Sequence, residues 1–452
     1  MEIRDVIHGS IPIESSELAI LDSRYFQRLR NIKQLGFGEY SFPSATHNRY
    51  IHSLGAMHTA SLAVETIFGS RAGTSLKPQA YSRFRAVARL AALLHDVGHG
   101  PLSHTTEFAM PDVKQLAVPG SRAKGRKATH EDYTLKIILD SGLTPLIAKA
   151  GAEHGFNPQH VAAVIDPELK IDDDFFRERI DDSSVDFRPI LKQLISSELD
   201  ADRMDYLRRD SLHAGVSYGQ FDFDWLLSNL SMHVKSGKCY LALQHRALYA
   251  FEDFLISRFH MFLMVYFHYK CVVFDAMLGK YFESADCDYS LPADIETYCE
   301  ANDAHLYSHL ARSKNEWARR ITEKRPYRML MELHSGIPNT KTAIQEQQRL
   351  LARTQKDLDS QGIHYLQQTS TSELSKYFRK PGDPIYVHYD NHYSAPSAIP
   401  LEQCTDLFAK YGEKRSISRI YVSPESYARC RNSGRSVPLR YEDEEIERDP
   451  LA

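Results

Sequence analysis

Apolar residues recur at helical spacing over much of the first two thirds of the chain. Leu54, Met57, Leu62, Val64 and Phe68 form one series, and Phe84, Val87, Leu90, Ala91 and Leu94 form another. Such a repeat gives a helix one face to bury. The second series runs straight into His95-Asp96 and is followed by Gly98, Gly100 and Pro101, which stop a helix and permit a turn. A stretch nearly free of glycine and proline predicts one helix over about 190–210, and a second long helical tract is predicted over about 247–281. Cys239-Tyr240-Leu241-Ala242-Leu243 reads as a short strand. Beyond about residue 320 the texture changes. The β-prone runs at 384–389 and 419–422 alternate with a polar helix over about 344–358 and turns rich in Pro, Gly and Ser. The pattern predicts a mainly α fold with a small α+β carboxy-terminal part. The expected division is a helical body at 1–320 (core about 45–215), an α+β region at 321–440 and an acidic, disordered tail at 441–452.

Composition changes this picture little. With 42% apolar and 25% charged residues in 452, a substantial core forms without covalent staples. The six cysteines are scattered and contain no C-x-x-C pair, which argues against a disulfide framework or a thiolate zinc site and fits a reducing cytoplasm. The amino terminus lacks the layout of a secretory signal. The most apolar segment, 259–278, carries His260, His268, Lys270 and Asp275, so it reads as a buried core helix and no membrane partner is expected. A net charge of −4 does not favour nucleic acid as a partner. Charge is nevertheless uneven. Arg24, Arg28, Arg30 and Lys33 crowd one early segment, and Lys114, Arg122, Lys124, Arg126 and Lys127 mark a polar stretch expected to be a mobile surface loop.

Histidine is the compositional oddity, with 21 residues, several in tight groups. His52 opens His52-Ser53-Leu54-Gly55, His95 and Asp96 are adjacent, and Asp202 lies in Asp200-Ala201-Asp202-Arg203-Met204-Asp205-Tyr206. Two imidazoles and two carboxylates suit iron, manganese, zinc or magnesium better than soft metals. Adjacent His and Asp side chains can share a metal only where a helix ends. The run from Leu94 to His104 holds three histidines, His95, His99 and His104, beside Asp96, and buried imidazoles need partners. Asp202, Tyr206 and Asp210 form an i, i+4, i+8 stripe on one helix face.

Several ordered motifs carry a family resemblance: Phe26-Gln27-Arg28-Leu29-Arg30, Ile32-Lys33-Gln34-Leu35-Gly36, His47-Asn48-Arg49, the His52 and His95-Asp96 runs, and Asp202-Arg203-Met204-Asp205-Tyr206. Over about residues 2–280 the chain resembles the HD-domain deoxynucleoside triphosphate triphosphohydrolases, so the helical body is expected to be an HD-type catalytic domain. The resemblance implies His52, His95, Asp96 and Asp202 as ligands of a divalent transition metal (Fe, Mn, Zn or Ni), with Mg or Mn bridging to the substrate phosphates. It implies His104 as general acid oriented by Glu107, where relatives often have Asp, and His99 and His130 as phosphate contacts. Arg49, Arg203 and Arg258 are implied on phosphates, Gln34, Leu35, Tyr206 and Asp210 along the substrate, and Tyr266 under the sugar. Asp22, Gln27 and Arg30 match residues that bind an activating nucleotide at subunit contacts, although Met1 and Arg4 depart from the pattern nearby. A homo-oligomer, tetramer or dimer, is implied. The same residues leave open an HD phosphohydrolase acting on another nucleotide or a nucleic-acid end, and a non-catalytic nucleotide sensor.

Overall fold

The computed structural model describes residues 1–69, 76–121, 125–180, 182–335, 340–372, 382–393, 395–407 and 415–432. The expected tail at 441–452 and the basic residues Arg122 and Lys124 lie outside the described residues. The fold is mainly helical with a smaller mixed β region towards the carboxy terminus, as the patterning predicts. The chain divides into two compact units that interleave in sequence. The first comprises 1–261, 290–305 and 374–412, and the second 262–289, 306–373 and 413–452.

In the first unit, helices α1 (Arg49–Phe68) and α2 (Pro78–Leu94) are the two periodic series, packed against each other. Their buried faces carry Met57, Val64, Phe84, Val87, Leu90 and Leu94. Helix α3 (His130–Leu139) covers the turn that follows α2. Gly98 is needed for that approach: a Cβ there would strike the His130 carbonyl and the Thr134 amide. Gly100 likewise faces Thr106 Oγ1. A turn follows the helix at 95–98 as expected; these glycines also serve close packing, and neither adopts a left-handed conformation.

The single helix expected over 190–210 is two, α4 (Arg188–Ile195) and α5 (Ala201–Ala214). The Asp200 carboxylate accepts from Ser197 N and Arg203 N, both at 2.8 Å. It caps a new helix instead of continuing the old one. The strand expected at 239–243 lies within β6 (Lys238–Gln244). It pairs antiparallel with β5 (Leu230–Lys235) and parallel with β9 (Tyr386–Tyr389). Buried Gln193 ties these strands, donating to the carbonyls of Asp383 and Pro384 and accepting from Leu241 N. The helix expected over 247–281 is also interrupted. Helix α6 (Leu248–Met261) ends the first unit's segment, and a π-turn over Phe262–Tyr266 closes with Phe267 N donating to Phe262 O. Helix α7 (Tyr269–Glu283) then starts afresh. Residues 259–278 are thus not one buried helix; Met264 and His260 are exposed. No single described helix is long and apolar enough to cross a membrane.

In the second unit, β11 (Arg415–Val422) is the central strand between β7 (Arg328–His334) and β8 (Tyr365–Ser372), all antiparallel. Helix α8 (Lys341–Ser360) supplies Leu358 to a core with Ile363, Ile420, Val422 and Tyr427.

Asp303 gives a stability prediction for the first unit. Burial raises its pKa to about 6 against the lowering effect of the Leu102 and Lys33 amides it accepts from. The native state then binds more protons than the unfolded chain between pH about 4 and 6, so this residue's contribution to stability falls as pH rises through that window. Asp303→Asn is expected to flatten this part of the pH dependence, as measured by urea unfolding at pH 4.5 and 6.5.

Candidate metal centre

Three helix ends meet at one point. Asn48 caps α1 by accepting from Ile51 N at 3.2 Å, which places His52 one turn inside. Helix α2 stops at Leu94 with His95 as its cap. Asp202 lies in the first turn of α5. His52 Nε2 is 3.0 Å from Asp202 Oδ1 and 3.6 Å from Asp96 Oδ2. His95 Nε2 is 3.4 Å from Asp96 Oδ1 and 3.5 Å from Asp202 Oδ1. The two imidazoles stand edge to face, with centroids 5.4 Å apart. The four side chains expected as ligands converge.

The donor set fits a cation. His52 Nδ1 donates to Asp205 Oδ2 at 2.9 Å and His95 Nδ1 to the Ala92 carbonyl at 2.7 Å. Each bond assigns the proton to Nδ1 and turns the Nε2 lone pair inward. Both Nε2 atoms are buried without a hydrogen-bond partner. Burial disfavours charge on His52, yet Asp202 and Asp205 lift its pKa to about 10, which marks a pocket with more carboxylate than cation. Asp96 is buried, but Arg49, His95 and His99 keep it ionised; Arg49 Nη1 hydrogen-bonds its Oδ2.

Beside this cluster lies a group of imidazoles. Leu102 and Ser103 both hold left-handed backbone (φ 53° and 60°), a conformation that costs of order 1 kcal/mol or more for such residues. Their surroundings over-determine it: Leu102 N donates to Asp303, Ser103 Oγ donates to the Lys33 carbonyl, and Arg49 Nε donates to Ser103 Oγ. Buried Arg28 donates to the carbonyls of Val97 and His99. The 3-10 helix Ser103–Ala109 then exposes His104 and brings Glu107 back one turn. Glu107 Oε1 lies 2.5 Å from His130 Nδ1 and 3.3 Å from His104 Nδ1. The carboxylate expected to orient His104 therefore holds His130 more closely. The two imidazoles keep it well below its usual pKa despite burial.

Nitrogen atoms of His99, His104 and His130 are close enough together to meet an ion. His99 and His130, however, stack in parallel at 3.8 Å and 13°. In-plane lone pairs of parallel rings point side by side, so this group suits N–H donation to an anionic oxygen better than metal ligation. Burial, Arg49 and His130 keep His99 neutral.

The remaining expected site residues are distributed as follows. Arg203 Nη1 and Arg258 Nη1 share Glu198 Oε1, at 3.0 and 2.8 Å. Burial lifts the Tyr206 phenol to about 12, and its ring lies 6.5 Å from that of His52. Asp210 accepts from His47 Nε2 at 2.7 Å, and His47 stacks on His213. Gln34 N donates to the His47 carbonyl, and Leu35 opens the 3-10 turn Gly36–Tyr40. Tyr266 belongs to the second unit, at the end of the π-turn. Asp22 follows the short helix Leu18–Leu21; Gln27 donates to Leu21 O and accepts from Arg30, which lies over the Tyr50 ring. Sequence reasoning missed Asp205, Glu198 and Arg28 as supporting residues, although Asp205 and Arg28 both lie inside the family motifs.

Fold and site together define a helical architecture of the HD type with a His/Asp cluster that could hold a metal ion. Residues 49–210 match the HD domain and 221–356 the HD-associated region. The chain is an HD-domain protein related to bacterial HD proteins and to deoxynucleoside triphosphate triphosphohydrolases. It is similar to an uncharacterised protein of Methanocaldococcus jannaschii, at 31% identity over 73% of this chain and 59% of that one. It is also similar to the Bacillus subtilis protein YwfO, at 34% over 59% and 51%. Human deoxynucleoside triphosphate triphosphohydrolase SAMHD1 matches at 27% over 63% and 44%. The chain thus spans roughly half the length of the curated relatives it matches. A hypothetical protein from Aquifex aeolicus shares the fold across 96% of this chain and 99% of its own, with 26% identity and a TM-score of 0.70.

Proposed function

We propose that the protein hydrolyses deoxynucleoside triphosphates to a deoxynucleoside and inorganic triphosphate. The observation that carries this reading is the convergence of two buried, unpartnered imidazole nitrogens with two carboxylates, next to imidazoles suited to an anion. His52, His95, Asp96 and Asp202 would hold a divalent transition metal (Fe, Mn, Zn or Ni), and Mg or Mn would serve as the ion accompanying the substrate phosphates. Such a metal, when bound, would supply Lewis acidity and would lower the pKa of a water bound to it. Water attacks the α-phosphorus and releases one proton to solvent, the bond to the 5′ oxygen breaks, and His104 gives that oxygen a proton that solvent then restores to the imidazole. His99 and His130 donate to phosphoryl oxygens. Arg49, Arg203 and Arg258 exchange their carboxylate partners for phosphates, a ligand that a guanidinium grips bidentately. Tyr206 lies along the triphosphate, while Gln34, Leu35 and Asp210 meet the sugar. Asp22, Gln27 and Arg30 take an activating nucleotide at a contact between copies of the chain.

The test is triphosphate release from each dNTP, each NTP and single-stranded DNA, with dNTPs supplied singly and mixed. Turnover of dNTPs at about 100-fold the rate of ribonucleotides is expected, with mixtures faster than single nucleotides. Triphosphate released only from ribonucleotides, or cleavage of DNA ends alone, would overturn the substrate assignment. His104→Ala is expected to lower turnover by about 100- to 10,000-fold with bound metal unchanged by elemental analysis.

A further inference from the structure

The hairpin of β1 (Glu2–Asp5) and β2 (Gly9–Pro12) looks peripheral in sequence, yet its turn reaches the metal centre. Asp5 Oδ1 accepts from the amides of Ile7 and His8, at 2.9 and 3.0 Å, folding the turn. Gly9 follows with φ +72°, the left-handed conformation that glycine tolerates. The turn leaves the His8 side chain 2% exposed, with its Nε2 2.7 Å from Asp205 Oδ1. The ring is wedged edge-on against His58 and Phe223.

Asp205 is the carboxylate that binds His52 Nδ1. It accepts from His8 on Oδ1, from His52 on Oδ2, and from Arg209 on both oxygens, at 2.8 and 2.9 Å. Four donors fill the accepting capacity of a carboxylate, so its rotation is fixed. Arg209 is itself anchored on Asp5 at 2.8 and 3.2 Å. The hairpin therefore supplies one direct donor to Asp205 and the counter-charge of another.

We propose that His8 is a positioning residue of the metal centre: it locks Asp205, which in turn orients His52 with Nε2 towards the ion. This rests on the metal reading above. A partner of this kind changes metal affinity by about 10- to 100-fold in histidine metal sites. A role in folding alone would leave the ligand geometry unaltered once the protein is folded.

The test uses the full chain stripped of metal and titrated with Mn²⁺ alone, together with the visible spectrum of the Co²⁺-loaded protein. His8→Phe fills the space without a donor, His8→Asn is too short to reach Asp205, and His8→Gln restores a donor. His8→Phe and His8→Asn are expected to bind Mn²⁺ about 10-fold more weakly and to shift the Co²⁺ bands. His8→Gln is expected to fall closer to the parent protein in both. Parent-like Mn²⁺ affinity and an unchanged Co²⁺ spectrum in whichever of His8→Phe and His8→Asn folds would overturn the proposal. Asp202→Ala run in parallel separates the two levels of inference. If it also keeps Mn²⁺, the metal reading fails; if it alone loses Mn²⁺, only the role of His8 fails.

Discussion

Asp202→Ala is expected to lose its bound transition metal and to lower turnover by more than about 1,000-fold, the scale seen when charge stabilisation is removed from a reacting centre. Asp202, like Asp96, lies against the imidazoles of both His52 and His95, and it makes the shortest of these four approaches, 3.0 Å to His52. Its pKa is held far below the usual carboxylate range by these two against burial, so it enters the site as an anion. Its removal leaves two buried imidazoles facing only Asp96 and halves the carboxylate charge offered to a cation. The fold should survive, because helix α5 is capped by Asp200 and packed through Met204 and Leu207. Elemental analysis and circular dichroism on the same sample check both halves of the expectation.

Gly55→Ala is expected to destabilise the protein by about 3 kcal/mol or more, on the scale of breaking a buried ion pair. Gly55 lies inside α1, three residues after His52, where alanine would ordinarily favour a helix by about 1 kcal/mol. Here a Cβ would fall on Asp205 Oδ1 and the Arg209 guanidinium. Both are fully buried and bonded to each other, so neither can yield without leaving a charge unpaired. The sign of the helix-propensity effect is thereby reversed. Urea unfolding of the metal-free protein measures it, and a stability equal to or above the parent's would show that α1 and α5 are not so closely apposed.

The same residue shows what the sequence makes legible. The helices α1 and α2 follow from the apolar repeat, although α1 is buried nearly all round and Leu62 of its series is only half-buried; the end of α2 at His95-Asp96 follows from the breakers behind it. The ordered motifs lead to His52, His95, Asp96 and Asp202 as one set, and the structure places their imidazole–carboxylate pairs 3.0 to 3.6 Å apart. The structure adds what periodicity cannot carry. The break between α4 and α5 depends on Asp200 turning its carboxylate onto two amides, in a run of alternating acids and bases that reads equally well as a solvated helix face. Asp205 sits three residues from Asp202 on that helix, and its contact with His52 depends on the small size of Gly55, 150 residues away in the chain. The pairing of β9 with β6 joins segments more than 140 residues apart, with no local signal in either. Gly98 and Gly100 read from the sequence as breakers behind the helix, while the crowding by α3 and Thr106 that also requires them appears only in three dimensions. The closer bond of Glu107 to His130 than to His104 has the same origin: i, i+3 spacing identifies one neighbour, and the fold brings a second.

Anomalous diffraction from crystals of the protein soaked in Mn²⁺ tests the central claim most directly. A peak is expected within about 2.1 Å of the Nε2 atoms of His52 and His95 and of oxygens of Asp96 and Asp202. A peak seated among His99, His104 and His130, with none between His52 and Asp202, would contradict it.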